Sequence, residues 1–205
     1  MHPAVNGFIS REFYAGRLET DPSTARQRLV GRSRHDETGL VHIAIAHAGD
    51  AARSREEAEA VAEVIAALVG LDWTDASGVT RPLSIDDLIV VAPYNAHVAE
   101  VQRAIRIRLG RPGRVGTVDK FQGQEGAVAI FSMASSSPEE IPRGIEFLLD
   151  RNRFNVAISR ARSLAILVSS PELLRVRPRT PEQMHLANAL CAYVETAETR
   201  SPARW

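Results

Sequence analysis

Two short stretches carry side chains suited to holding a polyanion. Residues 116–125 read Gly-Thr-Val-Asp-Lys-Phe-Gln-Gly-Gln-Glu, and residues 152–162 read Asn-Arg-Phe-Asn-Val-Ala-Ile-Ser-Arg-Ala-Arg. Each sets polar, charged or glycine residues where a strand or helix should run into a loop. An arginine fork is permanently charged and pairs with phosphate oxygens through parallel N–H donors, and Arg153, Arg160 and Arg162 are of that type. Thr117 offers a hydroxyl that, with nearby backbone N–H groups, can bind phosphate without reading sequence. Gly123 permits close backbone approach to a ligand, and the carboxylate of Glu125 can accept hydrogen bonds from hydroxyl groups.

Other chemistries find little support. His2, His35, His42, His47 and His185 show no metal-ligand spacing with cysteines or carboxylates, so no metal site of the protein's own is expected. His42 and His47 read as polar-face residues near a strand. Gly110-Arg-Pro-Gly113 is a turn and not a dinucleotide fingerprint. A nuclease would need clustered carboxylates, and Glu139-Glu140 lie in a polar loop. The single cysteine, Cys191, sits in a packed helical context, excludes an internal disulfide and fits a reducing, cytoplasmic setting. No apolar run approaches the roughly 18 residues that span a bilayer, and the N-terminus lacks a signal-peptide pattern.

Net charge is zero over 205 residues, but its distribution is uneven. Residues 1–100 hold 9 arginines and 15 acids, net −6, while residues 101–205 hold 15 arginines, Lys120 and 10 acids, net +6. Such asymmetry hints at a polyanion-facing surface. Arg103, Arg106, Arg108, Arg111 and Arg114 follow one another without an acid between them, and read equally as a solvated helix face plus a loop.

The elements that must position these residues alternate. Helical spacing of Phe8, Phe13, Tyr14 and Leu18 predicts a helix within residues 1–20, and residues 21–39 read as a connecting loop. A strand over Val41–Ala46 leads to a helix reaching Val69, opened by a Ser54–Glu57 capping box. Leu71–Ser84 reads as a loop. The apolar run Asp87–Ala92 predicts a buried parallel strand, and Asn95 caps a helix to about Leu109. Strands follow at Val115–Val118 and Val128–Met133, then a polar loop at Ser135–Glu140. A helix over Arg151–Arg162 precedes the last strand, Leu164–Ser169. Thr180 and Pro181 open a final helix to about Ala197. This alternation implies a doubly wound parallel α/β sheet with helices on both faces. Ligands of such sheets sit at the carboxyl ends of the strands, where Tyr94-Asn95, Asp119–Glu125 and Ser135–Ser137 are expected.

With these motifs in order, the chain resembles the C-terminal RecA-like domain of a superfamily 1 helicase. Within that superfamily it is similar to the RNA-surveillance and replication-nuclease helicase group, which includes bacterial RecB-like nuclease–helicase fusions. Met1-His-Pro-Ala resembles the family's Arg-Met-His-Pro element, Val90–Asn95 its motif IV region, Thr117–Glu125 motif V and Arg153–Arg162 motif VI. The resemblance implies an N-terminal helix and loop over 1–40, the RecA-like domain over 41–178, and a C-terminal helix packed on it over 179–205.

It also implies roles. Arg160 would be the arginine finger that stabilises γ-phosphate charge, the one catalytic residue expected here. Gly123, Gln124, Glu125 and Arg153 would bind ATP with Mg2+, Glu125 through the ribose and Arg153 as a second motif VI arginine or a structural ion-pair partner. Pro93, Tyr94, Asn95, Thr117, Asp119 and Gln122 would lie along single-stranded nucleic acid, DNA in preference to RNA. Tyr94 would stack on a base or pack the turn, and Thr117 would contact the strand or serve as a strand residue. Gln124 stands where relatives carry arginine, and His97 where they often carry glutamine.

The Gly-x-x-x-x-Gly-Lys-Ser/Thr loop that cradles phosphates is absent; the only lysine, Lys120, is followed by Phe121. A P-loop helicase domain, in cis or in trans, is therefore the expected partner, and no ATPase activity is expected from this chain alone. The arginine of the Arg-Met-His-Pro element would lie one residue upstream of Met1, so a fragment of a longer helicase is also expected. The resemblance leans towards 5′-to-3′ movement and DNA repair. The alternative is a non-catalytic nucleic-acid-binding or protein-docking module derived from such a domain.

Overall fold

Apolar, β-branched runs dominate the middle of this chain, and they pair in parallel. A computed structural model describes residues 1–31 and 36–204, so His35 lies outside the described residues. In chain order the elements are helix α1 (Pro3–Tyr14), strands β1 (Arg28–Val30), β2 (Asp36–Glu37) and β3 (Gly39–Ala44), helix α2 (Arg55–Leu68), strands β4 (Asp72–Thr74), β5 (Thr80–Pro82) and β6 (Leu88–Val91), helix α3 (Asn95–Leu109), strands β7 (Arg114–Gly116) and β8 (Gly126–Ser132), helices α4 (Ile145–Leu148) and α5 (Arg151–Ser159), strand β9 (Ala161–Ser169), helix α6 (Pro181–Thr196) and strand β10 (Glu198–Thr199). Six strands form one sheet in the order β10-β3-β9-β8-β6-β7, and every neighbouring pair is parallel.

Alternation along the strands divides the core. Ile89, Val91, Ala129, Phe131, Ala165 and Leu167 pack with Phe8 and Ile9 of α1, Phe154 of α5 and Leu190 and Tyr193 of α6. The intervening residues Leu88, Val90, Val128, Ile130, Ile166 and Val168 pack with Val61 and Ile65 of α2 and Val101 and Ile105 of α3. The sheet is covered on both faces, as its uninterrupted apolar strands require.

Several expected boundaries move. The stretches read as loops at 21–39 and 71–84 contribute β1, β2, β4 and β5, which form a second, antiparallel sheet in the order β2-β1-β4-β5. Strands of two or three residues are too short to show a period of two. Asp75 accepts hydrogen bonds from Ser77 and Val79 N–H at 2.9 and 3.1 Å, and so fixes the turn between β4 and β5. Arg81 pairs with Asp87 at 2.6 and 2.7 Å, holding that carboxyl at about 2, and lies 4.8 Å over the Trp73 ring. The small sheet is thereby anchored to the start of β6.

The helix expected over Arg151–Arg162 ends at Ser159; Arg160 caps it, and Ala161 and Arg162 already belong to β9. The strand expected over Val115–Val118 ends at Gly116, and Val118 starts a 3-10 turn. Asn95 is the first residue of α3 and not its cap; Tyr94 holds the cap position without a side-chain hydrogen bond. Thr180 does cap α6, its hydroxyl accepting from Gln183 N–H at 3.1 Å.

The Ser54–Glu57 capping box is only half formed. Ser54 accepts from Glu57 N–H at 3.2 Å, but the Glu57 carboxylate turns inward and is fully buried. It accepts from Ser132 Oγ at 2.6 Å and Ala134 N–H at 3.0 Å, and meets His47 Nε2 at 3.1 Å. The other His47 nitrogen lies 2.7 Å from Ser136 Oγ and 3.0 Å from Asp50. His97, also buried, accepts from Ser54 N–H at 3.3 Å on Nδ1, so its Nε2 is left to donate to Ser132 Oγ at 2.7 Å. This cluster ties the loop after β3 and the end of β8 to the starts of α2 and α3. Burial keeps His97 below its usual pKa. Burial also opposes charge on His47, but the Glu57 hydrogen bond and the Glu57, Asp50 and Glu56 carboxylates outweigh it and raise that pKa.

The packing can be tested at two places. A Cβ at Gly126 would stand 2.7 Å from the Asp87 carbonyl and 3.0 Å from that of Val128. Gly126→Ala should therefore cost about 1–3 kcal/mol by urea unfolding. Gly7→Ala, at a helical position with nothing within 4 Å, should be neutral or stabilising by up to ~1 kcal/mol. Because folding raises His47 above the ordinary value of 6.5, its charged form contributes stability that is complete below that pH and is lost as pH rises through the folded pKa. The gap in urea midpoint between the parent and His47→Gln should thus be widest below pH 6.5 and shrink above it. A constant gap would mean that the ring stays neutral.

Candidate functional site

Parallel pairing gives the sheet two unlike edges, and the motif residues divide between them. β8 starts at Gly126 and β9 at Ala161, side by side, with Gly126 N–H donating to the Arg160 carbonyl at 3.0 Å. Gln124 and Glu125 therefore sit at the amino edge, not at the carboxyl edge expected for the whole of Asp119–Glu125. The turn after Phe121 carries the chain back across the sheet to begin β8.

At that amino edge Arg160 is half-buried. It donates through Nε to the Val156 carbonyl at 3.0 Å, and through its terminal nitrogens to the Gln124 carbonyl at 3.3 Å and to Ser159 Oγ at 3.1 Å. Among the described residues no carboxylate neutralises it. Arg162 pairs with Glu125 at 3.1 Å, both side chains being about half exposed, and its carbonyl accepts from His2 N–H at 2.6 Å. Gln124 accepts from Arg114 at 2.9 Å. Gly123 takes a φ of +78° on an exposed turn, a conformation that favours glycine, with open space where a Cβ would stand.

At the carboxyl edge lies a cleft of about 260 Å³. Pro93, Tyr94 and Asn95 enter it from the end of β6, Thr117 and Asp119 from the end of β7, and Arg143, Phe147 and Arg153 from the segment between β8 and β9. Thr117 precedes the 3-10 turn without capping it. Tyr94 is 8% exposed, its ring stacks on Phe147 at 5.5 Å, and its hydroxyl is buried beside Ser135. Burial pushes that phenol above its usual pKa.

The structure thus gathers Gly123, Gln124, Glu125 and Arg160 at one edge and Pro93, Tyr94, Asn95, Thr117 and Asp119 at the other. Arg153 joins the second group. Gln122 lies exposed between the two, outside the cleft lining. The run of five arginines does not form one strip: Arg103 pairs with Glu100, Arg111 with Asp86 at 3.0 Å, and Arg114 donates to the Asp86 carbonyl at 2.9 Å. Arg143 and Phe147 escaped the sequence reading because they fall in a segment without a recognisable motif. An arginine four residues before a phenylalanine, ahead of motif VI, was the only available signal. Among the described residues no three His, Cys, Asp or Glu side chains are grouped to hold a metal ion, and no helix is long and apolar enough to cross a membrane.

Comparison with known proteins places this arrangement. The family model AAA_12, an AAA domain, matches residues 1–172. The putative helicase mov-10-B.1 of Danio rerio is 38% identical over 104 residues, 45% of this chain. Helicase sen1 of Schizosaccharomyces pombe is 28% identical over 85% of this chain, and the regulator of nonsense transcripts 1 homolog of Arabidopsis thaliana is 29% identical over 87% of it. The matched segments make up 10%, 10% and 14% of those proteins, so the chain spans about a tenth of their length. With a parallel, doubly wound sheet carrying the two motif edges, the chain belongs to the AAA domain family and is a C-terminal RecA-like domain of the superfamily 1 helicase type.

Proposed function

We propose that this chain is the second motor domain of an ATP-dependent helicase. Its amino edge would close on the nucleotide of a P-loop domain, in the same polypeptide or in a partner, while its carboxyl edge holds single-stranded DNA or RNA. The observation that carries this reading is the position of Arg160: a half-buried guanidinium with no carboxylate among the described residues, held over the Phe121–Gln124 turn by backbone carbonyls.

The amino-edge residues fit a nucleotide. Arg160 has N–H donors in excess of its protein partners and a permanent charge, which suits developing negative charge on a γ-phosphate. Gly123 leaves the backbone accessible. Glu125 would accept from a ribose hydroxyl after exchanging its ion pair with Arg162; exposed pairs of this kind contribute only about 0–1 kcal/mol, so the exchange is cheap. Magnesium would come with ATP and be held mainly by the P-loop side. ATP would bind the closed arrangement more tightly than the open one, and its hydrolysis would remove that preference. A role in DNA repair rests on the resemblance of the motifs.

Joined to the P-loop domain of a helicase of the same family, the chain should support strand-stimulated phosphate release, whereas by itself it should show none. Arg160→Ala should lower that release by about 10³–10⁵ and leave affinity for a fluorescent oligothymidylate unchanged. Turnover indifferent to Arg160→Ala would remove the arginine from the reaction, and strand binding untouched by any P-loop domain or nucleotide would favour a binding module without a motor.

A further inference from the structure

The carboxyl-edge cleft holds two guanidiniums that the motif reading leaves without a function there. Arg143 lies 4.2 Å and Arg153 4.1 Å from the Phe147 ring centroid. Neither makes an ion pair with a carboxylate among the described residues, and both line the cleft beside Thr117 and Asn95. Two like charges gathered on one ring repel each other. The ring face offsets part of that and restricts both forks, but it satisfies none of their N–H donors. The Tyr94 ring stacks alongside, and its hydroxyl, buried beside Ser135, adds no accessible donor. The single acid at the cleft, Asp119, is exposed at its rim. The site therefore offers unmet donors and excess positive charge in a cleft lined partly by aromatic carbon.

We propose that Arg143 and Arg153, positioned by Phe147, grip one backbone phosphate of the single strand. The inference rests on the strand reading above, extends it to Arg143 and Phe147, and assigns Arg153 to the strand instead of the nucleotide. Position supports the second step. Arg153 is in the first turn of α5 and Arg160 caps its far end. Seven residues at 1.5 Å each put about 10 Å along the axis between the two Cα atoms, and their forks are held in different surroundings: Arg160 donates to the Phe121 and Gln124 carbonyls, whereas Arg153 lies against the Phe147 ring. A free phosphate or nucleotide presents the same chemistry, and competition separates these sources from a strand.

The test is fluorescence anisotropy of oligothymidylate and oligouridylate across a potassium chloride series. Parent binding should weaken with salt. The double variant Arg143→Gln/Arg153→Gln should flatten the log–log dependence by about 0.7, as expected when a single strand has one fewer phosphate neutralised by the protein. Each single variant should flatten it less, and Arg106→Gln on the exposed face of α3 should leave it alone. Phe147→Leu should weaken binding severalfold. Thermal unfolding that matches the parent shows that the variants fold.

An unchanged slope in the double variant overturns this inference and leaves the strand reading standing. A parent that binds neither oligonucleotide overturns both. Orthophosphate or ATP binding, read by calorimetry, that the double variant loses but that leaves the parent's strand binding intact would give the pair to a free phosphate and also overturn the proposal.

Discussion

Everything at the candidate sites depends on the parallel pairing of β8 with β9. Their register sets Gly126 against Ala161, and the bond from Gly126 N–H to the Arg160 carbonyl closes the junction. Parallel strands all start at one edge and end at the other. Residues just before β8 and β9 must therefore meet, and residues just after β6 and β7 must meet on the far side. The junction is tight because the Asp87 carbonyl crowds Gly126. Glycine at that point is a packing requirement first, and only through it a functional one.

One helix joins the edges. α5 is capped by Asp150, whose carboxylate accepts from Arg153 N–H at 2.8 Å, and it runs back to Arg160 without a proline or glycine. Phe154 and Ile158 bury it against the sheet, Phe154 through edge contacts with Phe131 and Tyr193. A short helix held along its whole length moves as a unit or not at all. A ligand that shifts Arg160 then acts on the frame that carries Arg153, with no flexible chain between them. The buried Glu57–His47–His97 cluster has the complementary effect. It ties the loop after β8 and the start of α3, beside the carboxyl-edge cleft, to the start of α2.

What was legible in the sequence and what was not follows from the range of the interactions. The apolar run of β6, the amphipathic face of α2 and the Thr180-Pro181 start of α6 are set by neighbours within a turn or two, and local pattern found them. The second sheet was missed because β1, β4 and β5 have three residues each and β2 has two. The edge assignment of Gln124 and Glu125 failed because a strand's direction across the sheet is a property of its partner. Glu57 read as a helix cap because Ser54 lies three residues before it; its actual partners, Ser132 and Ala134, come 75 and 77 residues later. No spacing rule reaches that far.

Net charge misleads in the same way. The chain is neutral, and its basic half is already partly committed: Arg103, Arg111, Arg162, Arg175 and Arg200 each face a carboxylate. Arg153 and Arg160, at the two ends of α5, are half-buried and face none among the described residues. Partial burial of a guanidinium loses hydration that carbonyls and a ring face only partly replace. Such a charge attracts an anion far more strongly than a solvated arginine on α3 does. An anion-binding surface can therefore be built on a protein of zero net charge by leaving a few desolvated arginines unpaired where the fold opens, and this fold opens at both ends of α5.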